Sequence, residues 1–330
     1  MTLLDISSLT LDLPNGQRLL DGISIQVAAG ETIGLVGESG SGKSLTARSV
    51  IGLLPRGARM GGGITIDGHD VLRADKAELL EVRRTSASMI FQDPRAGINP
   101  MRTIGDHMTE SLRLCLGVPK AEARGVALEL LRAVRLPRPE EHLDQFPHEF
   151  SGGMLQRVMI AGALTSSPKL LICDEPTTAL DVTTQAEIID VLAEQRAARG
   201  MGMLFITHDL NLAASICDRV YVMKQGQLEE QGTAREIFLH PTAKYTKKLI
   251  EATPTVEARE EDPADPAAAA EEVAGLTDVP EPMLFTRDLA KTYYPKGRDA
   301  VKAVVGASIA IPKGGSLGLV GESGSGKSTL

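Results

Sequence analysis

The chain has 330 residues, enough for one large α/β domain or two small ones, and its 42% hydrophobic and 24% charged residues are the composition of a globular chain rather than a disordered one. Its net charge of −8 is concentrated in residues 254–281, which hold nine acids against Arg259 alone, so the rest is balanced with 34 charges of each sign. A balanced globular part offers no broad positive field for DNA or RNA, and with no Trp and only 3% aromatics, base-stacking surfaces are scarce as well.

Cys115, Cys173 and Cys217 are scattered without a CxxC pair, which speaks against a disulfide framework or a zinc site and fits a reducing compartment. Met1–Thr10 contains Asp5 and lacks the basic start and apolar run of a signal peptide. No apolar stretch reaches membrane-spanning length, so a membrane role is expected to run through a partner.

In chain order, Leu3–Val27 reads as β-rich, and Ile33-Gly-Leu-Val36 is the short apolar run of a buried parallel strand. It enters Gly37-Glu38-Ser39-Gly40-Ser41-Gly42-Lys43-Ser44, followed by a helical reading over 45–52. This is the GxxxxGK[ST] phosphate loop between a strand and a helix. Its glycines let consecutive N–H groups turn toward phosphates, the helix N-terminus adds partial positive charge, Lys43 would reach the β- and γ-phosphates, and the Ser44 hydroxyl would bind Mg²⁺. Residues 95–150 are expected to form a mainly helical insertion, with Leu112–Leu116 and Ala127–Leu136 supplying apolar faces.

Leu170-Leu-Ile-Cys173 is an apolar strand that ends in two adjacent carboxylates, Asp174 and Glu175. One acid at such a strand end can hold Mg²⁺ and a second can orient or deprotonate an attacking water; alone, the pair reads equally well as solvated charge at a strand exit. Leu204-Phe-Ile-Thr leads in the same way to His208, a position more often structural than catalytic when taken by itself. A second β-rich segment, Arg219–Gln231, is expected to flank the core, and 254–282 reads as a flexible acidic linker spanning about 30 Å as a coil.

The string Gly34–Ser44 recurs identically at Gly318–Ser328, and Gly22-Ile-Ser-Ile is echoed by Gly306-Ala-Ser-Ile. A period of 284 residues is far too long for a solenoid, so the repeated unit is a domain. The second loop offers Gly321, Gly324, Gly326, Lys327 and Ser328 as further phosphate ligands, and 283–330 is expected to be an incomplete second copy, the chain being a piece of a longer tandem protein.

Phe150-Ser151-Gly152-Gly153-Met154-Leu155-Gln156-Arg157 resembles the signature motif of ATP-binding cassette (ABC) ATPases and stands just before the carboxylate strand. Phe91-Gln92-Asp93-Pro94 is similar to the Q-loop, Ala179-Leu180-Asp181 to the D-loop, and His208 to the switch histidine. The resemblance covers residues 1–253 and resumes near 283. It implies an α/β P-loop NTPase fold, an ABC nucleotide-binding domain with a β-rich subdomain and a helical insertion. It also implies ATP and Mg²⁺ as ligands: Ser44 and Asp174 holding the metal, Glu175 as general base, His208 at the γ-phosphate, and Gln92 linking metal and attacking water to a transmembrane partner. Ser151, Gly152 and Gly153 would close over ATP held by an opposite cassette; read without the family, they are a Ser-capped helix start, itself a place to bind a phosphate.

Met154 stands where the usual signature has Gln, and Leu13 where many cassettes place an adenine-stacking aromatic that the second copy supplies as Tyr293. Phe91–Pro100, Gly152–Ile160 and His240–Leu249 resemble the ATPases of dipeptide, oligopeptide, nickel and glutathione importers. That resemblance implies integral-membrane permeases and a second cassette as direct partners, a solute-binding protein as an indirect one, and a place at the cytoplasmic face of the membrane. A soluble tandem ABC ATPase acting on ribosomes or nucleic acid, and an ABC component of a catabolic assembly such as that for phosphonates, are the alternatives; the absence of a positive surface weighs against the first.

Overall fold

The computed structural model describes residues 2–178, 180–253, 282–294, 300–321 and 325–330. The chain divides into two compact units, Met1–Leu180 with Thr184–Pro254, and Asp181–Thr183 with Thr255–Leu330. The acidic linker of residues 254–281 lies outside the described residues.

The first unit begins with β1 (Thr2–Asp12) and β2 (Arg18–Ala28), which pair antiparallel. Strand β3 (Thr32–Val36) feeds the phosphate loop and α1 (Lys43–Val50). Strands β4 (Arg59–Ile66) and β5 (His69–Asp70) complete a four-stranded antiparallel sheet in the order β2-β1-β4-β5. Helix α2 (Lys76–Glu81) runs through a π-helical turn, Val82–Ser86, into β6 (Ala87–Ile90).

Helices α3 (Pro94–Gly97), α4 (Ile104–Cys115), α5 (Lys120–Ala133) and α6 (Pro139–His142) follow, and a 3₁₀ turn at Pro147–Glu149 leads into α7 (Gly152–Leu164). Then come β7 (Leu170–Asp174), α8 (Val182–Arg199), β8 (Gly202–Ile206), α9 (Leu210–Ile216), β9 (Arg219–Lys224), β10 (Gln227–Thr233), α10 (Ala234–Leu239) and α11 (Lys244–Glu251).

Six strands make the central sheet in the order β10-β9-β3-β8-β7-β6, parallel from β9 to β6 and antiparallel only at the β10 edge. Here the expectation of a flanking C-terminal β segment needs correction. Strand β9 is internal, pairing parallel with β3, because Val220–Met223 is apolar on both faces and only a central position buries both.

The core strands read as continuous apolar runs, yet they serve two cores by strict alternation. Val36, Cys173, Phe205 and Val222 face the core built with α5, α7 and α8, while Leu35, Ile172, Ile206 and Met223 face the one shared with α1 and the antiparallel sheet. The two faces of Leu112–Leu116 also differ from expectation: Leu112 is buried, but Leu114 and Leu116 are 70% and 53% exposed. Leu114 lies two positions from Leu112 and so does not share its helix face, and Leu116 stands just past the last helical residue, Cys115.

In the second unit, β11 (Pro282–Tyr293) and β12 (Val301–Pro312) pair antiparallel. They repeat the β1–β2 hairpin down to its irregularity: Ser8 and Asp288 are both left-handed (φ 46° and 47°), and their amides donate to the hydroxyls of Ser24 and Ser308 at 2.9 and 3.0 Å. Packing differs. Leu4 and Leu9 are fully buried, whereas Leu284 and Leu289 are 48% and 38% exposed. Residues 316–320, which match β3 in sequence, form no strand; β3 is defined by ladders to β8 and β9, and no such neighbours occur among the described residues of the second unit.

Candidate functional site

Four adjacent strands bring their carboxyl ends to one edge of the central sheet. β3 delivers the phosphate loop, β8 leads to His208, β7 ends at Asp174 with Glu175 next, and β6 leads to Gln92. In parallel α/β sheets this edge is where ligands bind.

The loop is shaped by close packing. A Cβ on Gly37 would lie 2.1 Å from the Met223 carbonyl, and Gly42 (φ 105°) would press into Met223 and Leu20, so only glycine fits either place. Lys43 is 4% exposed as a residue, and its ammonium donates to the carbonyls of Gly37 and Glu38, both at 2.8 Å. Burial lowers its pKa, partly opposed by the charges of Glu175 and Asp174. A buried cation held only by loop carbonyls is poised to exchange them for a stronger anionic acceptor.

Asp174 is fully buried. Its Oδ1 accepts a 2.6 Å hydrogen bond from Ser44, while Oδ2 has no hydrogen-bond partner and lies 3.9 Å from the Arg48 guanidinium. Burial raises the Asp174 pKa, with the Ser44 bond acting against it. An orphaned carboxylate oxygen beside a serine hydroxyl fits a hard, oxygen-seeking cation. No group of three or more His, Cys, Asp and Glu placed to hold a metal ion occurs among the described residues, so such an ion would draw most of its ligands from phosphate and water, the usual habit of Mg²⁺.

Glu175 is the most constrained residue of the site. Its backbone is left-handed (φ 47°), which costs about 1–2 kcal/mol for a non-glycine residue and is tolerated where surrounding contacts hold it. Its amide donates to Ile206 O at 3.0 Å. Its Oε2 receives Gln92 Nε2 at 2.9 Å and the Thr178 hydroxyl at 3.0 Å, and His208 Nδ1 lies 3.2 Å away.

A cleft of about 380 Å³ is lined by Leu19, Ser39, Lys43, Ser44, Arg48, Gln92 and Glu175, while Thr178 and His208 line a separate pocket that shares Glu175. Gly40 and Gly42 line the cleft too, whereas Glu38 and Ser41 do not; Ser41 is buried and its carbonyl accepts from Gly226 N–H at 2.9 Å. Ser151, Gly152 and Gly153 are not among the lining residues. Ser151 caps α7, accepting from the Met154 amide at 3.3 Å, and stays exposed.

In the second unit Lys327 Nζ donates to Gly321 O at 2.5 Å, and Gly321 and Gly326 have φ of 156° and 95°, near the 146° and 105° of Gly37 and Gly42. Ser328 is exposed, and Gly324 falls outside the described residues, as does Ala179 of the D-loop.

Sequence reasoning missed Leu19, Arg48 and Thr178. Leu19 leaves no local signal. Arg48 lies one helical turn beyond Ser44, and Thr178 three residues beyond Glu175, so helical and turn spacing could have found both.

A parallel sheet that presents a glycine-rich loop, a buried lysine, a serine–aspartate pair and a restrained glutamate at one edge defines a P-loop nucleoside triphosphatase fold. The profile of the ABC transporter family matches residues 20–178. The "Peptidoglycan transport ATP-binding protein YejF" of Agrobacterium fabrum is 43% identical over 94% of this chain and 56% of its own length. The "Oligopeptide transport ATP-binding protein OppD" of Salmonella typhimurium is 45% identical over 77% of each chain. Among solved structures, the dimeric post-hydrolysis ATP-binding cassette MJ0796 bound to ADP and Pi is similar at a TM-score of 0.63 and 28% identity, over 70% of this chain and 99% of that one. The chain belongs to the ABC transporter family, and it spans little more than half the length of the Agrobacterium relative.

Proposed function

We propose that this chain carries the ATP-hydrolysing cassette of an importer for peptides or a similar small solute. Residues 1–253 are the cassette, with its helical insertion at about 95–150; 254–282 are the linker, and 283–330 begin a second cassette. The observation that carries the reading is the convergence of Gln92, Thr178 and His208 within 3.2 Å of one Glu175 oxygen, next to the Ser44–Asp174 pair and Lys43.

In this reading the loop amides from Gly37 to Ser44 cradle the nucleotide phosphates and Lys43 moves from the loop carbonyls onto them. Ser44 and Asp174 hold Mg²⁺, with Gln92 at its edge; the ion supplies charge neutralisation on the phosphates. Glu175, oriented by Gln92 and Thr178, accepts the proton of the attacking water, and His208 turns toward the γ-phosphate. The second loop repeats the arrangement through Gly321, Gly324, Gly326, Lys327 and Ser328.

Ser151–Gly153 lie outside their own chain's cleft, and the exposed α7 N-terminus suits a phosphate held by an opposite cassette. A dimeric cassette with ADP and Pi among the similar structures supports that arrangement. A groove between Phe91, His107, Leu114, Cys115 and Met159 follows the Q-loop and fits a permease helix. No described helix is long and apolar enough to cross a membrane, so attachment to the cytoplasmic face through a permease, with a solute-binding protein further out, completes the proposal.

A site completed by a second copy makes specific activity depend on concentration. Phosphate release per mole of protein should rise with protein concentration over a roughly hundredfold range; rapid turnover by a proven monomer, constant across the range, contradicts it.

A further inference from the structure

The phosphate loop is braced from the C-terminal part of the first unit. The Gly226 amide, in the β9–β10 turn, donates to Ser41 O at 2.9 Å, and Gly37 packs on the Met223 carbonyl at the end of β9. Helix α11 adds a third brace, since the Glu38 amide donates to the Tyr245 hydroxyl at 3.3 Å. The Lys224 ammonium sits 4.8 Å from the centre of the Tyr245 ring. The helix is itself anchored, because the Glu230 carboxylate accepts from the Thr242 amide and hydroxyl at 2.7 and 2.6 Å and from the Ala243 amide at 3.1 Å.

Glu38 is therefore held at both ends of its backbone: Lys43 takes its carbonyl at 2.8 Å and Tyr245 its amide. When Lys43 transfers to a phosphate it lets go of that carbonyl, which keeps the Ser41 amide at 3.2 Å, and the Tyr245 hydroxyl is left as the tie on the Glu38 amide from outside the loop. We propose that Tyr245 is a positioning residue, its hydroxyl pinning Glu38 so that the loop keeps its phosphate-binding shape while Lys43 changes partner. The Tyr245 ring has a separate packing role with Leu249 and Ile250 against the core, which a phenylalanine retains. Tyr245 lies well beyond residues 20–178, the part matched by the family profile. The inference rests on the nucleotide-binding reading for its consequence, and on the Glu38 contact for itself.

Tyr245→Phe tests it in the full chain, with Mg-ATP as the probe. Loss of one neutral hydrogen bond should raise the dissociation constant about three- to tenfold, lower the melting midpoint of the nucleotide-free protein by no more than about 4 °C, and speed hydrogen exchange at the Glu38 amide. Tyr245→Leu, which also removes the ring's packing, should show the same weakening together with a larger fall in the melting midpoint. An unchanged dissociation constant in Tyr245→Phe overturns the proposal, and so does an unchanged exchange rate at Glu38. If the wild-type protein takes up no Mg-ATP at all, the nucleotide reading fails and Glu38 exchange alone decides: faster exchange in Tyr245→Phe upholds the positioning contact, equal rates overturn it.

Discussion

Replacing Glu175 with glutamine separates what the residue does chemically from what it holds structurally. The side chain keeps its shape, and an amide oxygen can still accept from Gln92 at 2.9 Å or Thr178 at 3.0 Å, so the cleft survives. The negative charge goes, and with it the ability to accept a proton from water. Loss of a general base costs about 10²- to 10⁴-fold in rate. Converting bonds to a charged acceptor into bonds to a neutral one costs about 1 kcal/mol each, a change visible in melting yet too small to unfold a domain of this size. Lys43 and the Ser44–Asp174 pair remain, so Mg-ATP affinity should change by no more than a few-fold. Single-turnover release of labelled phosphate, with nucleotide binding measured on the same preparation, reads both effects. Hydrolysis at the wild-type rate by Glu175→Gln would falsify the role given to Glu175, and loss of binding together with loss of turnover would make the residue architectural.

Two further outcomes follow from the geometry. Leu19 lines the cleft and Leu13 is partly buried nearby in sequence, both aliphatic, so Leu13→Tyr should supply a stacking surface and tighten ATP binding severalfold in a direct titration; an unchanged affinity removes Leu13 from the base-binding end. Partial burial pushes the Glu230 carboxyl up, but hydrogen bonds from Thr242 and Ala243 outweigh it and hold the group at about 2, below its ordinary 4.5. With the folded-state value depressed, the stabilisation is complete above pH 4.5 and is lost as pH falls through 2. Glu230→Gln should therefore cost about 1 kcal/mol at neutral pH, after allowance for solvent screening, with the difference from wild type shrinking below pH 4.5; a constant difference down to pH 2 contradicts this.

Much of the site was legible because its parts are local strings. A phosphate loop requires its glycines, lysine and serine in sequence, and the two carboxylates follow an unbroken apolar strand, so residues 37–44 and 174–175 announced themselves. Gln92 entered as a site residue only through the family resemblance, and its hydrogen bond to Glu175, 83 positions away, was seen only in the structure.

Strand β9 was misplaced because an apolar run of four residues, Val220–Met223, looks the same at the side of a core and at its centre; only pairing with β3 decides. Leu114 and Leu116 were placed inside on hydrophobicity alone; the helical period sends Leu114 outward, and Leu116 lies beyond the end of α4. The bracing of the loop by Tyr245 could not be read at all, since a hydroxyl–amide contact across 207 residues leaves no periodic trace.

The most direct test is calorimetric titration of ATP into folded wild-type and Lys43→Ala protein, each with magnesium and with excess chelator. The wild-type protein should bind in magnesium and more weakly without it, and the variant should bind far less under both conditions while melting as the wild type does. No heat of binding from folded wild-type protein, or equal binding by Lys43→Ala, contradicts the claim that this loop grips a nucleotide.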